Sequence, residues 1–510
     1  MTRYELYSTG SNSHGQLGLG TDEDASEYTQ IPLPSSCRPL ELAFGANHTL
    51  LLADQDGRRT LYGAGNNAAG QLGLGNQESR LKFEDILWEN FVPRTAGVNE
   101  DTYKVVGVAS TWETSLVHLR SRREEGSPEK HAKSDILVSF GSNDWGERGN
   151  GDGKGGGGSS VVSFEHVMEG PIRISRLVAG PRHVLALIES LDPSSSPSRT
   201  LVGWGASRHG QLGSRNSDLK LPKLVAQPEV VSLPSPFSSH DIVDFSCGRD
   251  HSAILLHPRA STSVSDPVIV TLGSNKHGQL GPNLQNDDSS KLSNSQKYNV
   301  LPFTSAIPSH PASFASTSNP PQTIHSTWNS TFIPLPFASD STPFFLSFGS
   351  NSHGQLGNPT AGVSSMTLQS TANSTPASST DIRIVSLSVQ TSSSSLSSPS
   401  SPSSPSRSSI PSNSSTSQLQ LSTGSEHVLA LVEHPLSNSQ TQSRAHQQQL
   451  FTWGWNEHGN LGLGSGDLAD RKEPTRVGGV IGERLKEGGR IEKVWGGMAT
   501  SWTLMSFERD

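Results

Sequence analysis

Short apolar runs separated by glycine turns recur along the whole chain. Pairs of apolar runs joined by a glycine break lie at 42–52, 177–187, 245–255 and 421–431. A third apolar run leads into a further glycine turn at 60–63, 137–140, 201–204, 268–272, 345–348 and 450–453. Short runs of β-branched and aromatic residues between glycine turns are typical of antiparallel strands. The pattern therefore predicts an all-β fold.

The glycine turn after the third run is a nine-residue motif that occurs seven times. Its three glycines supply backbone conformations that a β-carbon forbids, and its Asn and Ser side chains close local turns. The copies are GSNSHGQLG at 10–18, GNNAAGQLG at 65–73, GSNDWGERG at 141–149, GASRHGQLG at 205–213, GSNKHGQLG at 273–281, GSNSHGQLG at 349–357 and GWNEHGNLG at 454–462. Several antiparallel strands per copy, repeated seven times, predict one domain, residues 1–510, folded as a seven-bladed β-propeller.

The two ends of the chain carry strands that complement each other. Tyr4 to Ser8 is a third strand without a second strand before it, and Trp502 to Ser506 is a second strand without a third strand after it. We expect these N- and C-terminal strands to pair and close the ring, which leaves no long free sheet edge.

Polar segments that interrupt the blades are predicted to be disordered loop insertions. Many are rich in Ser and Pro and cannot bury enough apolar surface to offset the entropy of ordering. Long loops are tolerated because the entropy cost of loop closure grows slowly with length. The insertions cover about 121–133, 189–199, 257–266, 282–343, 358–380, 391–417 and 433–449. Neutral expansion explains them, and proline-directed phosphorylation at Ser398, Ser401 and Ser404 is the alternative.

Composition and charge argue against several classes of protein. The 510 residues carry a formal net charge of −8, and no basic block exceeds 120–123, whereas a nucleic-acid surface shows a basic patch or stripe. Cys37 and Cys247 form no CxxC pair, which argues against a cysteine-based zinc site. No run reaches 18 apolar residues and the N-terminus has no apolar signal core. We expect a soluble intracellular protein without a membrane or direct nucleic-acid partner.

No motif predicts catalysis, a cofactor or a metal. Gly153, Gly155 and Gly158 match GxGxxG only because they lie in a glycine run. A P-loop is excluded because Arg148 stands where that motif needs Gly. Without HExxH, GxSxG or a Ser/His/Asp set, we expect no enzymatic activity and no catalytic residue. The motif histidines lack zinc-ligand spacing and are interpreted as structural: His14, His209, His277, His353 and His458.

Candidate binding residues lie where copies depart from the common pattern at the break between the first two strands. Four copies carry His there: His48, His183, His251 and His427. The other three are interpreted as having Glu113, Asn329 and Thr500 in that place, each with a tryptophan nearby. Equivalent positions of a propeller form a ring on one face, where tryptophans are candidate hot spots. Packing between blades is the alternative. The candidate partner-binding residues are Trp112, Glu113, Trp328, Asn329, Trp455, Met498, Thr500 and Trp502.

The GxNxxGQLG turn and the GxxHxxxL strand pair resemble the regulator of chromosome condensation family over the whole chain except the insertions. This resemblance implies a seven-bladed propeller. It also implies, as the alternative function, a guanine nucleotide exchange factor for a Ran-type small GTPase. The chain lacks the basic N-terminal tail of the chromatin-bound exchanger, and its charged insertion at 121–133 mixes signs and does not resemble a nucleotide-displacing wedge.

Three segments resemble the fungal alpha-tubulin suppressor branch of that family. They are GSNSHGQLGLGTDED at 10–24, Trp-Glu-Thr at 112–114 and WGGMATSW at 495–502. This closer resemblance implies a non-enzymatic scaffold, monomeric or heterodimeric, that binds a small zinc- or iron-binding protein in cytoplasm and nucleus. It implies roles in diphthamide synthesis and in Elongator-dependent modification of wobble uridine in tRNA. Contacts with Elongator itself and a link to tubulin are further expectations.

Overall fold

Seven four-stranded antiparallel sheets form a ring around a central channel. The computed structural model describes residues 2–34, 36–122, 133–152, 158–192, 194, 198–213, 221–233, 240–259, 266–282, 298–302, 320–335, 343–357, 382–387, 418–435, 446–464 and 466–508. Each sheet is one blade, and its first strand lines the channel. The predicted all-β, seven-bladed propeller is confirmed.

The chain begins with β1 (Arg3–Gly10) and β2 (Ala25–Gln30), two strands of blade 7, which the end of the chain completes. Blades 1 to 3 follow in order. Blade 1 contains β3 (Cys37–Phe44), β4 (His48–Gln55), β5 (Arg58–Gly65) and β6 (Arg80–Asp85). After a short helix α1 (Trp88–Phe91) and a 3₁₀ turn (Arg94–Ala96), blade 2 contains β7 (Tyr103–Ser110), β8 (Thr114–Ser121), β9 (Ile136–Gly141) and β10 (Ser160–Val162). Blade 3 contains β11 (Ile172–Ala179), β12 (His183–Ser190), β13 (Arg199–Ala206) and β14 (Leu224–Val230).

The remaining blades repeat the same order from the channel outward. Blade 4 contains β15 (His240–Cys247), β16 (His251–Pro258), β17 (Val268–Gly273) and β18 (Tyr298–Pro302). Blade 5 contains β19 (His325–Ser326), β20 (Ser330–Pro334), β21 (Phe344–Gly349) and β22 (Arg383–Ser386). Blade 6 contains β23 (Gln418–Thr423), β24 (His427–Pro435), β25 (His446–Gly454) and β26 (Arg471–Arg476). After helix α2 (Gly479–Lys486), blade 7 contains β27 (Arg490–Gly496), β28 (Thr500–Phe507), β1 and β2.

Closure of the ring uses strands from both ends of the chain, as predicted. β1 pairs antiparallel with β28 over eight residue pairs, from Arg3 opposite Phe507 to Gly10 opposite Thr500. β27 and β2 complete this sheet on its inner and outer sides. Both long edges of the terminal strands are therefore paired within the blade.

The core lies between blades, because each blade is covered on both faces. Six consecutive residues of β4, starting at His48, are buried, so this strand is an apolar run rather than an alternating one. Its Leu50 and Leu52 pack in one cluster with Val117 and Val138 of blade 2. The same relation between neighbouring blades explains why the second and third strands were recognisable in the sequence.

Two predicted insertions contain strands, which corrects their boundaries. The segment 282–343 includes β18, β19 and β20, and the segment 433–449 includes the end of β24 and the start of β25. Leu301, Ile324 and Ile333 are almost fully buried. The apolar runs of Leu301 and Ile333 are only two residues long and end at proline, as Val300-Leu301-Pro302 and Phe332-Ile333-Pro334, so they did not mark strands in the sequence. The structured ends of 121–133, 189–199 and 257–266 extend their hairpin strands, and 358–380 and 391–417 lie outside the described residues.

Candidate partner-binding face

One end of the propeller carries both kinds of glycine turn. In blade 1, the turn 45–47 joins the first strand to the second, and the motif 65–73 follows the third strand. His48 pairs with Gly65, so both turns lie at the same end of the blade. The other blades repeat this register, for example Thr114 with Gly141 and Ser330 with Gly349. We call this end the turn face.

The nine-residue motif is a structural turn, as predicted. In the first copy the Asn12 side-chain oxygen accepts a hydrogen bond from the Leu17 amide at 2.9 Å, and the Gln16 side-chain oxygen accepts one from the His14 amide at 2.9 Å. Leu17 is fully buried. Gly10 has φ +113°, and a β-carbon on it would lie 2.2 Å from the Ala499 carbonyl oxygen. The conserved spacing of this motif within the chain therefore follows from the turn geometry.

Strand register corrects the assignment of two candidate residues. The residue opposite the first motif glycine is His48 in blade 1, but it is Thr114 in blade 2 and Ser330 in blade 5. Glu113 and Asn329 lie one position earlier, at the tip of the turn, so their placement at the His position was wrong. Thr500 does occupy that position in blade 7, since it pairs with Gly10.

The repeated histidine joins neighbouring blades through a hydrogen-bonded hydroxyl. Ser115 Oγ lies 3.0 Å from His48 Nε2 and donates its proton to the Gln71 carbonyl at 2.7 Å. Because the hydroxyl proton is used there, His48 Nε2 must be the donor to Ser115. The same arrangement joins His183 to Ser252, at 2.9 Å. These histidines are components of the blade interface.

Burial keeps all four interface histidines neutral. It lowers the pKa of His48 and His251 to about 3 and that of His183 and His427 to about 4. Desolvation disfavours the charged imidazolium.

A glycine makes room for the interface histidine in blades 1, 4 and 6. A β-carbon on Gly45 would lie 2.0 Å from His48 Cε1. Blades 2 and 5 have lost both members of this pair, with Thr111 and Thr327 in the glycine place. In these two blades the next residue is a tryptophan.

The two tryptophans meet across the channel. The Trp112 and Trp328 rings lie 5.8 Å apart between centroids, although they belong to blades 2 and 5. Trp328 Nε1 donates to Met498 Sδ of blade 7 at 3.4 Å. Trp112 is 40% exposed. We call Trp112, Trp328 and Met498 the aromatic cap. Trp328 and Met498 line the mouth of a channel of about 250 Å³, whose lining also includes Phe44 and Cys247, and Trp112 contacts Trp328 there.

Backbone hydrogen bonds hold the cap in place. The Trp112 amide donates to the Pro181 carbonyl of blade 3, and its carbonyl accepts from the Ala46 amide of blade 1, both at 2.8 Å. The Trp328 amide donates to the Ser425 carbonyl at 2.8 Å, and its carbonyl accepts from Arg249 at 2.9 Å. Each indole therefore stands on a turn that is fixed to both neighbouring blades.

Three other candidate residues are buried, which corrects their assignment as partner contacts. Trp502 is fully buried between blades 7 and 1, with its ring 5.5 Å from Phe44 and 6.2 Å from Phe83. Asn329 is 6% and Thr500 2% exposed. For these residues, packing between blades is the role that their burial supports. Glu113 remains half-buried at the tip of its turn.

Trp455 lies away from the cap, at the motif of blade 6. Its ring centroid is 5.3 Å from that of His458 and 6.2 Å from that of His353. His353 Nδ1 is 2.8 Å from Asp470 and its Nε2 is 3.2 Å from Glu426. These contacts join blades 5 and 6 and make Trp455 part of a polar cluster.

Sequence reasoning missed Trp145, which is half-buried on the same face. It occupies the histidine position of the motif 141–149, where five other copies have His. Its amide donates to Glu147 Oε2 at 2.6 Å, and burial raises the pKa of that carboxyl group to about 7. Comparison of the seven motif copies would have revealed it. This copy alone has Trp at the fifth position, where the others have His or Ala, and Glu at the seventh, where the others have Gln or Asn.

Metal and membrane features are absent from the described part of the chain. No three His, Cys, Asp or Glu side chains among the described residues are placed to hold one metal ion. No helix within the same ranges is long and apolar enough to cross a membrane.

Three parts of the chain match the family model for the regulator of chromosome condensation (RCC1) repeat, at residues 5–52, 201–255 and 448–497. The ultraviolet-B receptor UVR8 of Arabidopsis thaliana is 29% identical over 251 residues, which are 49% of this chain and 46% of that protein. The secretion-regulating guanine nucleotide exchange factor of Bos taurus is 27% identical over 285 residues, which are 55% of this chain and 50% of that protein. The matches thus span half or less of these curated relatives.

A solved structure has the same fold. Prp20p from Saccharomyces cerevisiae superimposes with a TM-score of 0.61 at 18% identity, over 100% of this chain and 92% of that chain. At this level of identity the likeness supports the propeller architecture.

Proposed function

We propose that this seven-bladed propeller, three parts of which match the regulator of chromosome condensation repeat, is a protein-binding scaffold without catalytic activity of its own. The turn face is the binding surface, and the aromatic cap is its centre. Rigid, partly exposed tryptophans at the middle of a surface are typical of binding hot spots.

The main support for this proposal is that residues which differ from the common repeat lie together in space at the channel mouth. The tips of blades 2, 5 and 7 carry Trp112, Trp328 and Met498, and the Trp328 side chain contacts both of the others across the channel mouth. The blade interface does not need large side chains there, since blade 1 has Ala46 at the same position. A large apolar contact on a fixed backbone supports a role in recognition.

For the partner, we propose a small zinc- or iron-binding protein of the diphthamide pathway, bound as a heterodimer in cytoplasm and nucleus. The support is the resemblance of 10–24, 112–114 and 495–502 to the alpha-tubulin suppressor branch. The pair would serve diphthamide synthesis and Elongator-dependent wobble-uridine modification, with contacts to Elongator and an indirect or direct link to tubulin.

Reconstitution tests the identity of the partner. The full chain is mixed with the recombinant small zinc-binding protein of the same organism and examined by size-exclusion chromatography with light scattering. The proposal predicts a one-to-one complex that withstands moderate salt. Separate elution at concentrations well above those in cells would contradict it.

Guanine nucleotide exchange on a Ran-type GTPase is the second candidate function. The observation in its favour is the 27% identity to a relative named as a secretion-regulating guanine nucleotide exchange factor. Release of a fluorescent GDP from recombinant Ran measures this activity directly. A rate increase that depends on the concentration of the chain would support exchange. An unchanged rate would argue against exchange, and the scaffold would remain as the proposed function.

A further inference from the structure

A tryptophan with two arginines against its ring lies beside the aromatic cap. The guanidinium carbons of Arg182 and Arg208 lie 5.0 and 5.8 Å from the centroid of the Trp145 ring. At these distances a cation is attracted to the face of an indole. The contact brings two cationic side chains of blade 3 together at the boundary with blade 2.

Blade 4 adds a third arginine to this group. Arg249 lies at the tip of the blade 4 turn, at the position that Trp112 and Trp328 occupy in their blades. Asp250 Oδ2 is 3.1 Å from Arg249 Nε, and Asp250 Oδ1 is 3.9 Å from Arg182 Nη1. The side chain of Asp250 is 12% exposed, whereas those of Arg182 and Arg249 are 32% and 35% exposed. We call Trp145, Arg182, Arg208 and Arg249 the basic sector.

The basic sector keeps a positive charge after its carboxylates are counted. Three arginines and the exposed Lys276 make four cations, against the carboxylates of Asp250, Asp144 and Glu113. This leaves a formal charge of +1 when Glu147, whose pKa burial raises to about 7, is protonated. The whole chain has the opposite sign, at −8. This local reversal of charge lies next to the aromatic cap.

Blades 6 and 7 carry negative charge on the other side of the channel mouth. Glu426 and Asp470 flank His353, and Asp24 lies 2.7 Å from His458 Nδ1. Three exposed acidic residues add to them: Asp22, Glu23 and Glu457. The turn face is therefore divided into a basic sector, an apolar centre and an acidic side.

We propose that the basic sector binds an acidic segment of the protein that docks on the turn face, and so fixes its orientation across the aromatic cap. The inference rests on the proposed function, in that the turn face binds protein. Arginine forks match carboxylates geometrically, and the stacked indole pre-orients two of them. Complementary charge mainly sets orientation and association rate. An acidic peptide is favoured over nucleic acid because a long polyanion that crossed the channel mouth would meet the acidic side.

Fluorescence anisotropy with a defined probe tests the inference without the metalloprotein. The probe is the fluorescein-labelled peptide Glu-Glu-Asp-Leu-Phe-Asp-Glu-Glu, titrated with the full chain at about 50 mM and about 300 mM salt. We expect binding that weakens with salt and falls about tenfold or more in the double variant Arg208→Glu with Arg249→Glu. Trp145→Ala should weaken it as well, because both stacked arginines lose their support.

The matched control is the double variant Arg58→Glu with Arg59→Glu, in the β4–β5 hairpin at the opposite end of blade 1. It changes charge by the same amount and should alter peptide affinity less than about twofold. Equal losses in both double variants would show unspecific charge attraction and overturn the inference, as would unchanged binding in a folded basic-sector variant. If single-stranded DNA binds more tightly than the peptide and this binding is lost when the same arginines are substituted, the ligand of the basic sector is nucleic acid and the inference is overturned. If the peptide does not bind but the complex with the small metalloprotein still forms, this inference fails and the proposed function is unaffected.

Discussion

Trp112 of blade 2 and Trp328 of blade 5 contact each other across the mouth of the channel, with ring centroids 5.8 Å apart. The contact joins blades that are not neighbours in the ring. Both residues stand where the glycine and histidine of the common blade have been replaced, by Thr111 with Thr114 and by Thr327 with Ser330. The two tryptophans of the cap therefore come from the two blades that lack both the glycine and the histidine of this pair.

Deletion of the last strand should destroy the fold. Removing residues 502–510 takes away most of β28, which pairs with all of β1, and exposes two sheet edges. We expect aggregation or loss of a cooperative thermal transition, measured by circular dichroism. Removing only residues 508–510, beyond the end of β28, is the control and should leave the transition unchanged. A normal melt after the longer deletion would contradict ring closure by the termini.

Acid should destabilise the blade interfaces before carboxylates are protonated. The pKa of His48, His183, His251 and His427 is lowered from about 6.5 to about 3 or 4, so the unfolded chain binds more protons than the folded one. Their contribution to stability is complete above pH 6.5 and is lost as the pH falls toward 4. Each can contribute up to about 1.4 kcal/mol per pH unit. Urea denaturation at several pH values measures this slope, and His48→Gln should reduce it. A flat stability between pH 7 and 5 would refute neutral burial.

Glu147→Gln should stabilise the protein at alkaline pH. Burial raises the pKa of Glu147 to about 7, above its value of about 4.5 when unfolded, so its favourable effect is present below pH 4.5 and is lost as the pH rises through 7. Gln performs the same backbone contact in other copies, as Gln16 does with His14. We expect a gain of at least about 1 kcal/mol at pH 8 that disappears near pH 5. An equal effect at both pH values would show that charge is not its cause.

Gly45 and His48 should show strong energetic coupling. Gly45→Thr places a β-carbon against the His48 ring and should cost about 1–3 kcal/mol. In the background of His48→Thr, the same change should be tolerated, since Thr111 coexists with Thr114 in blade 2. Thr114 Oγ1 donates to the Ser142 carbonyl there, which a threonine at position 48 can imitate. A double-mutant cycle by chemical denaturation should give a coupling of at least about 1 kcal/mol. Additive effects would contradict the steric explanation.

The blade architecture was predictable because its signals are local and repeated. Leu50 and Leu52 lie in a run that is buried on both faces, and Gly10 lies in a motif that recurs at fixed internal spacing. The strand β18 was missed because its buried Val300 and Leu301 form an apolar run of only two residues, which ends at Pro302. This short strand is held in place by its pairing with β17.

The candidate site was only partly predictable from the chain. Trp112 and Trp328 could be singled out as departures from the repeat, but their contact across blades depends on the curvature of the closed ring. Trp502 looked equivalent and is buried between Phe44 and Phe83, because a strand position rather than a turn position carries it. Trp502 is buried because it lies within β28, whereas Trp112 and Trp328 lie in turns. Closeness to a turn in the sequence does not distinguish these two cases.

Titration calorimetry of the small zinc-binding protein with variants of the aromatic cap tests the central claim most directly. Trp112→Ala and Trp328→Ala should each weaken binding about 30-fold or more, since truncation of a central tryptophan typically costs about 2 kcal/mol. Glu113→Ala should have a smaller effect, as expected for a rim charge. Leu87→Ala, an exposed apolar change outside the turn face, is the control and should bind normally, with circular dichroism to verify each fold. Normal affinity in both folded tryptophan variants would contradict the account and place the partner on another surface.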